Sequence, residues 1–227
     1  MSTVKPVLFV TTSNSVKGKT GIPTGFFLAE LTHPYAKLQA AGIPIELASI
    51  KGGRPPIDGF DISDPVNAAL WADPAFQVSL AQTLCLDDVN PARYSAVFFA
   101  GGHGTMWDFA GTPSVQRVIR EIYEAGGIVS AVCHGSAALV NATCSDGSYL
   151  VAGKRVAAFT NSEEEAVQST NIVPFLLETA LVNQGAQHQA APDWTTNVVT
   201  EDRLITGQNP ASAAGVGEEL VRLLRQS

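Results

Sequence analysis

The sequence has few of the features that mark secreted, membrane-spanning or nucleic-acid-binding proteins. It contains only three cysteines, without paired spacing, so we expect no disulfide framework and a reducing, cytoplasmic location. No run reaches the ~18 apolar residues of a transmembrane helix. The net charge is −7, and the sequence contains no cluster of basic residues. We therefore expect neither a membrane nor a nucleic acid as a partner.

Motifs that bind cofactors and metals are also missing. The phosphate-binding patterns GxxxxGK(S/T) and GxGxxG do not occur, and the histidines and cysteines lack the spacing of zinc ligands. We therefore expect no cofactor and no bound metal. The apolar run at residues 7–10 is short and has polar flanks. It is predicted to be the first strand and not a signal peptide.

What the sequence does contain is a regular alternation of strand and helix patterns. Hydrophobic residues make up 45% of the 227 positions, enough for a sizeable core. Near-continuous apolar runs at residues 6–11, 43–50 and 94–100 are typical of strands buried on both faces of a parallel sheet. The pattern predicts one doubly wound α/β domain over residues 1–227, with an insertion or cap at 51–90. A site is expected at the carboxyl ends of the strands.

The stretch IVSAVCHGSAALVN, residues 128–141, is predicted to form a strand, a sharp turn and a helix, with Cys133 at the corner. Such a nucleophile elbow presents its side chain at the sheet edge, where free amides at the helix start favour a thiolate. We expect a reactive cysteine here; the alternative is a buried structural one. His134 is expected to contact the sulfur or to donate its backbone amide to an oxyanion. Simple packing near the turn is its alternative.

Glu30 lies within a helix predicted over residues 25–41, three and four residues after Phe27 and Phe26. This spacing places its carboxyl near the apolar face. A buried carboxyl has a raised pKa and could donate a hydrogen bond to a neighbouring thiolate. The alternative is a surface glutamate at the edge of the apolar stripe.

Three consecutive glutamates, Glu163, Glu164 and Glu165, follow Ser162, which is predicted to cap a helix. Acidic residues in a first helical turn are favourable without any further role. The strand predicted over residues 151–160 nevertheless brings this turn to the sheet edge that carries the cysteine. One of the three could therefore orient a histidine and complete a Cys-His-Glu arrangement.

The loop Gly101-Gly102-His103-Gly104 directly follows a predicted strand and is a candidate oxyanion cradle. Glycines allow backbone N–H groups to approach a substrate oxygen closely. His103 could bind substrate or simply fill the loop.

Taken together, these motifs resemble the ThiJ/PfpI superfamily, which has the class I glutamine amidotransferase-like fold, and within it the glyoxalase III and heat-shock-chaperone branch. The matching segments are GFFLAELTHPY, GGRPPID, FFAGGHGTMWDF, AVCHGSAALVN, FTNSEE, PFLLE and RLITGQNPAS. They extend over nearly the whole chain. The resemblance implies a flavodoxin-like α/β fold, a three-layer sandwich with a mostly parallel sheet, and a homodimer.

The resemblance also implies roles for the candidate residues. Cys133 would be the nucleophile and Glu30 its protonated partner, while His134 and Glu164 would complete the triad. The backbone amides of Gly102 and His134 would form the oxyanion hole. Gly101 and His103, on either side of Gly102, would take part in binding the oxyanion or the substrate.

The implied activity is that of a glutathione-independent glyoxalase acting on a small reactive carbonyl, methylglyoxal or glyoxal. Cys133 would form a hemithioacetal that rearranges, through Glu30 or His134 as base, and is hydrolysed to lactate or glycolate. Bulky residues at Phe26, Tyr35 and Trp107 suggest a small pocket. The alternatives are a stress-response chaperone or redox sensor, and a small amidase or peptidase that uses the same cysteine.

Overall fold

The structure is a computed structural model that describes residues 5–226; the outermost residues of the predicted domain, 1–4 and 227, lie outside this range. The strands are β1 (Val7–Thr11), β2 (Phe26–Phe27), β3 (Ile45–Ser49), β4 (Ile57–Asp58), β5 (Leu84–Cys85), β6 (Ala96–Phe99), β7 (Ile128–Val132), β8 (Arg155–Val156), β9 (Gln187–His188), β10 (Val198–Glu201) and β11 (Leu204–Gly207). The α-helices are α1 (Leu28–Ala40), α2 (Pro65–Trp71), α3 (Pro74–Ala81), α4 (Thr105–Asp108), α5 (Pro113–Glu124), α6 (Asn161–Ala166), α7 (Leu177–Asn183) and α8 (Ala213–Leu224).

Seven of these strands form the central sheet, in the order β10-β11-β7-β6-β1-β3-β5. Every pairing is parallel except that of β10 with β11. Helices α1 and α8 pack together against one face, and α5 packs against β6 and β7. Every residue of β1, β6, β7 and β11 is buried, because helices cover both faces. The predicted α/β sandwich with a mostly parallel sheet is confirmed.

The first helix begins three residues later than the sequence pattern predicts. The amides of Phe26 and Phe27 donate to the carbonyls of Pro56 and Gly101, each at 3.0 Å, and Phe27 has an extended backbone, with φ of −80° and ψ of 122°. The two phenylalanines instead form β2, which pairs in parallel with β4. As a result, Glu30 lies in the first turn of α1 and not in its middle.

The prediction of a strand over residues 151–160 is mostly wrong. Only β8 forms, and it pairs with β9 outside the central sheet. The amide of Ala157 donates to the hydroxyl of Thr206 and that of Ala158 to the ring of His188. Side chains thus accept hydrogen bonds that a neighbouring strand would otherwise accept.

Residues 51–90, predicted as an insertion or cap, contain β4, α2, α3 and β5. The last of these is the edge strand of the central sheet, paired with β3, and α2 packs against α1. None of the helices within residues 5–226 is long and apolar enough to cross a bilayer.

Candidate active site

Cys133 lies at the turn between β7 and a 3-10 helix, Cys133–Leu139, and has a left-handed φ of +56°. This conformation is uncommon for a residue with a side chain and is characteristic of a strained nucleophile elbow. Gly135 makes the turn possible, because a Cβ there would lie 2.3 Å from the carbonyl oxygen of Phe99. The helix after the elbow is a short 3-10 segment that packs on the end of β6.

The environment of the Cys133 thiol differs from the sequence prediction. The residue is only 3% exposed. Burial raises the pKa of the thiol well above its usual value, the charge of Glu30 raises it further, and the amide of His134 opposes both. The predicted preference for thiolate is thus overridden by desolvation. At rest the Cys133 side chain is therefore a thiol, and its ionisation would need a base.

His134 lies where it could act as that base. Its Nδ1 lies 3.4 Å from Cys133 Sγ, and its Nε2 lies 2.7 Å from Oε2 of Glu164. Burial and the neighbouring His103 lower the pKa of His134 to about 4, so the ring is neutral at neutral pH. Because the carboxylate accepts from Nε2–H, Nδ1 carries no proton and can accept one from the thiol.

Glu164 is held as a carboxylate by two histidines. Its Oε1 accepts from Nε2 of His103 at 2.8 Å, and its Oε2 from His134. Burial opposes ionisation, but these two hydrogen bonds outweigh it and lower the pKa of Glu164 to about 2. The two imidazole rings lie 4.1 Å apart. The acid predicted to orient His134 is therefore in place, and His103 supports it from the other side.

The same three side chains are of the types that bind metals, and their nearest ligand atoms lie within 4.8 Å of one another. The sequence spacing gave no indication of this cluster. Both carboxylate oxygens of Glu164 already accept hydrogen bonds from the Nε2 atoms of His103 and His134. A metal would have to break both hydrogen bonds, and we propose none at this position.

Glu163 has a different role from Glu164, although it is its neighbour in sequence. It is fully buried and forms a capping box with Thr160, which is the N-cap of α6 in place of the predicted Ser162. Its Oε1 accepts from the amide of Trp194 and the side chains of Gln208 and Asn209. Glu163 therefore fixes the loops behind the site.

Replacing Glu163 with alanine is expected to lower the free energy of unfolding by about 3 kcal/mol, because buried N–H donors lose their acceptor. Urea denaturation followed by circular dichroism measures this loss. Glu165→Ala, an exposed position on the same helix, is the matched control and should change stability by no more than about 0.5 kcal/mol. A Glu163→Ala protein as stable as the control would contradict the structural role.

Glu30 is fully buried on the other side of Cys133, and neither carboxyl oxygen has a hydrogen-bond partner of good geometry among the described residues. Burial raises its pKa to about 8; the Cys133 side chain and the Gly101 amide oppose the shift, and the charge of Asp58 adds to it. At neutral pH the carboxyl is therefore mainly protonated. Its charge then no longer opposes ionisation of the thiol.

The glycine loop after β6 is shaped by close approach to the rest of the site. A Cβ on Gly101 would lie 2.1 Å from Oε2 of Glu30. Gly102 has φ of +102°, and a Cβ there would lie 2.4 Å from the carbonyl oxygen of Gly25. Only glycine fits at both positions. Within residues 5–226, the amide of Gly102 donates to no protein acceptor, which leaves it available to a bound oxygen.

Thr105, which sequence reasoning missed, joins this loop to the elbow. Its hydroxyl is buried 2.9 Å from the carbonyl oxygen of Gly102 and 2.7 Å from that of His134. The two peptide segments of the predicted oxyanion hole are thus fixed relative to each other by one side chain. Its place directly after the glycine loop was the signal that could have identified it.

A cavity of about 190 Å³ opens above the thiol. The lining residues are Lys17, Phe27, Glu30, Asp58, Gly102, His103, Cys133, His134, Phe159, Val167, Trp194 and Pro210. It lies at the carboxyl ends of the parallel strands, where the α/β pattern predicts a site. All the predicted catalytic side chains line this cavity except Glu164, which reaches it through the two histidines.

The aromatic walls of the cavity differ from those predicted. They are formed by Phe27, Phe159 and Trp194 and not by the residues named from the sequence, namely Phe26, Tyr35 and Trp107. Lys17 and Asp58 were also missed. Lys17 lies in the segment between β1 and β2, and Asp58 lies in the two-residue strand β4. Neither segment has a periodic pattern that would identify which side chains face the cavity.

Comparisons with known proteins identify related sequences over nearly the whole chain. The sequence model of the DJ-1/PfpI family matches residues 22–223. A protein of Candida albicans named "Glyoxalase 3" is 30% identical over 235 residues, covering 96% of this chain and 97% of that protein. The "Glutathione-independent glyoxalase HSP31" of Saccharomyces cerevisiae is 31% identical, covering 94% of each.

Solved structures show the same similarity. The Rapid Encystment Protein 24 KDa of Francisella tularensis superposes with a TM-score of 0.94 at 39% identity, over 97% of this chain and 99% of that one. The glyoxalase III of Candida albicans superposes with a TM-score of 0.89 at 29% identity, over 96% of each chain.

Proposed function

The chain belongs to the DJ-1/PfpI family, and we propose that it is a glutathione-independent glyoxalase that converts methylglyoxal or glyoxal to lactate or glycolate. The observation that supports this most strongly is the geometry around Cys133. A buried thiol, a neutral imidazole and a buried carboxyl of raised pKa meet in one small cavity. The relatives named as glyoxalases support the same reaction.

The first step is addition of the thiol to the aldehyde carbon. Nδ1 of His134 accepts the thiol proton while Sγ of Cys133 forms a bond to carbon. The amides of Gly102 and His134 stabilise the oxyanion. Glu164 stabilises the imidazolium, which then returns its proton to the oxyanion and gives a neutral hemithioacetal.

The second step moves hydrogen between the two carbons of the substrate. A base removes the proton from the carbon bound to sulfur, and the neighbouring carbonyl oxygen gains a proton, which gives an enediol. Protonation of the second carbon and loss of a hydroxyl proton then give a thioester of the 2-hydroxy acid. We assign the proton transfers to Glu30, because its pKa of about 8 allows it to give and accept a proton near neutral pH.

The last step is hydrolysis of the thioester. A water molecule, deprotonated by Nδ1 of His134, attacks the thioester carbon, and the sulfur leaves and regains its proton. The balance is one carbonyl substrate plus one water giving one 2-hydroxy acid, with no external oxidant or reductant. The cavity of about 190 Å³ is below the usual range for drug-sized ligands and fits substrates of two or three carbons.

The test is formation of lactate from methylglyoxal without glutathione. Lactate is measured by chiral chromatography, and added glutathione should leave the initial rate unchanged beyond its own reaction with the substrate, for which a protein-free sample is the control. A turnover number on the order of 1–10 per second would be typical of an enzyme. Consumption of methylglyoxal without lactate would contradict the proposal, since simple adduct formation on surface lysines and arginines also removes the aldehyde.

The same experiment separates the alternative functions. A chaperone would suppress aggregation of a client even after Cys133→Ala, whereas a redox sensor would respond to oxidation only while Cys133 is present. Neither would produce lactate from methylglyoxal in any variant. An amidase or peptidase would release amine from a small amide substrate. The glyoxalase reaction alone yields a 2-hydroxy acid.

We also propose a cytoplasmic homodimer. The three cysteines are free thiols, which suits a reducing compartment. The homodimer is the assembly that the family resemblance implies.

A further inference from the structure

Lys17 is held against the cavity by a tightly bonded loop between β1 and β2. The amide of Lys17 donates to Ile22 at 2.9 Å, and its carbonyl accepts from Thr20 at 3.1 Å. Gly18, with φ of +53°, packs so closely on Trp107 that a Cβ there would lie 3.3 Å from Nε1 of the indole. The position of Lys17 is therefore fixed by backbone hydrogen bonds and by aromatic packing.

Lys17 is the only lysine or arginine among the described residues that line the cavity. Its charge acts on the catalytic centre, because it contributes to the lowered pKa of His134. Within residues 5–226, its ammonium group has no hydrogen bond and no ion pair with a protein group.

Two of the three acidic residues of the site, Asp58 and Glu164, have hydrogen-bond partners of their own, and the third, Glu30, is mainly protonated. Oδ2 of Asp58 accepts from Thr24 at 2.9 Å and Oδ1 from the amide of Gly59 at 2.8 Å. Glu164 is bonded to two histidines. Among the described residues that line the cavity, the ammonium of Lys17 is thus the one charged group without a protein partner, and an anionic ligand would supply the partner.

We infer that the cavity binds small monocarboxylates, 2-hydroxy or 2-oxo acids of two or three carbons, with Lys17 as the counterion. This inference rests on the proposed function, whose product is such an anion formed on the carbon bound to Cys133 Sγ. A carboxylate next to the thiol is favoured by the Lys17 ammonium and by the free amide of Gly102. The enzyme is consequently inhibited by its own product and by related acids, and Lys17 sets the strength of that inhibition.

The experiment compares lactate with lactamide, its uncharged amide of nearly the same shape, by isothermal titration calorimetry on the full-length protein. The wild type is expected to bind lactate at least about tenfold more tightly than lactamide. Lys17→Met should weaken lactate binding about tenfold and leave lactamide binding nearly unchanged. Lys17→Arg should preserve the preference for lactate, and so should Lys19→Met, an exposed lysine of the same loop.

Equal affinity of the wild type for lactate and lactamide would overturn the inference, as would unchanged lactate binding in Lys17→Met. Because the titration needs no turnover, its outcome is independent of the reaction. Charge-dependent lactate binding through Lys17 in a protein that forms no lactate from methylglyoxal would support the binding site and reject the glyoxalase. Lactate formation from methylglyoxal, together with lactate binding that is unchanged in Lys17→Met, would support the glyoxalase and reject the binding site.

Discussion

Replacing Cys133 with serine or alanine is expected to reduce kcat for lactate formation by at least about 10³-fold, as the loss of a catalytic nucleophile commonly does. His134 is a weak base, with a pKa of about 4. It can take a proton from a thiol that attacks a carbonyl, but a serine hydroxyl is far less acidic. Among the described residues that line the cavity, no other side chain carries a thiol or a hydroxyl. Lactate formation at saturating methylglyoxal measures the loss.

The other two cysteines provide the matched controls. Cys85 and Cys144 are half-buried free thiols outside the cavity, and their serine variants should retain wild-type turnover. Cys133→Ser changes one atom and keeps the same elbow backbone, so it should unfold at the wild-type temperature. If Cys133→Ala still formed lactate within about tenfold of the wild-type rate, the hemithioacetal mechanism would be wrong.

The positions of Cys133 and of the glycine loop were predictable from the sequence because each is tied to a local signal. Cys133 follows a continuous apolar strand and precedes Gly135, a pattern that specifies an elbow. The glycine loop after β6 is also a local pattern. By contrast, nothing local distinguishes Glu163 from Glu164. They diverge because Thr160 is the N-cap of α6, which places the Glu163 side chain against Gln208 and Asn209.

The protonation states could not be predicted, since they depend on what surrounds each group in three dimensions. The amide groups at the elbow favour a thiolate at Cys133, yet complete burial outweighs them. Lys17 and Thr105 were missed for a related reason. Their roles depend on loops that come together only when the carboxyl ends of β1, β6 and β7 meet at one edge of the sheet.

Glu30→Gln is expected to lower kcat about 10²- to 10⁴-fold, the usual contribution of a general acid–base residue. Glutamine has nearly the same shape and is neutral, as Glu30 is at neutral pH, but it cannot move a proton between the two substrate carbons. Glu121→Gln, at an exposed position on α5, is the control and should leave kcat unchanged. A Glu30→Gln enzyme with wild-type kcat would show that the carboxyl acts only as a neutral neighbour of the thiol, leaving His134 as the base of the second step.

The same substitution should change how stability depends on pH. The pKa of Glu30 is raised by burial from about 4.5 to about 8 in the folded protein. The protonated carboxyl therefore contributes stability that is fully present below pH 4.5 and is lost as the pH rises to about 8. The loss is about 1.4 kcal/mol per pH unit in that window. Glu30→Gln has no such group, so its stability relative to wild type should rise steadily between about pH 5 and pH 8.

This pH dependence shows whether Glu30 stabilises the fold or instead lowers its stability when the carboxyl ionises. A glutamate that stabilises the fold is ionised and paired, as Glu164 is, and its removal destabilises the protein most at neutral pH. Glu30 is buried and has no hydrogen-bond partner of good geometry within residues 5–226, so its ionisation costs stability. Urea unfolding of both proteins at pH 5, 6, 7 and 8 measures the difference. If the two curves stay parallel, Glu30 does not titrate with a raised pKa, and its assignment as the proton carrier fails with it.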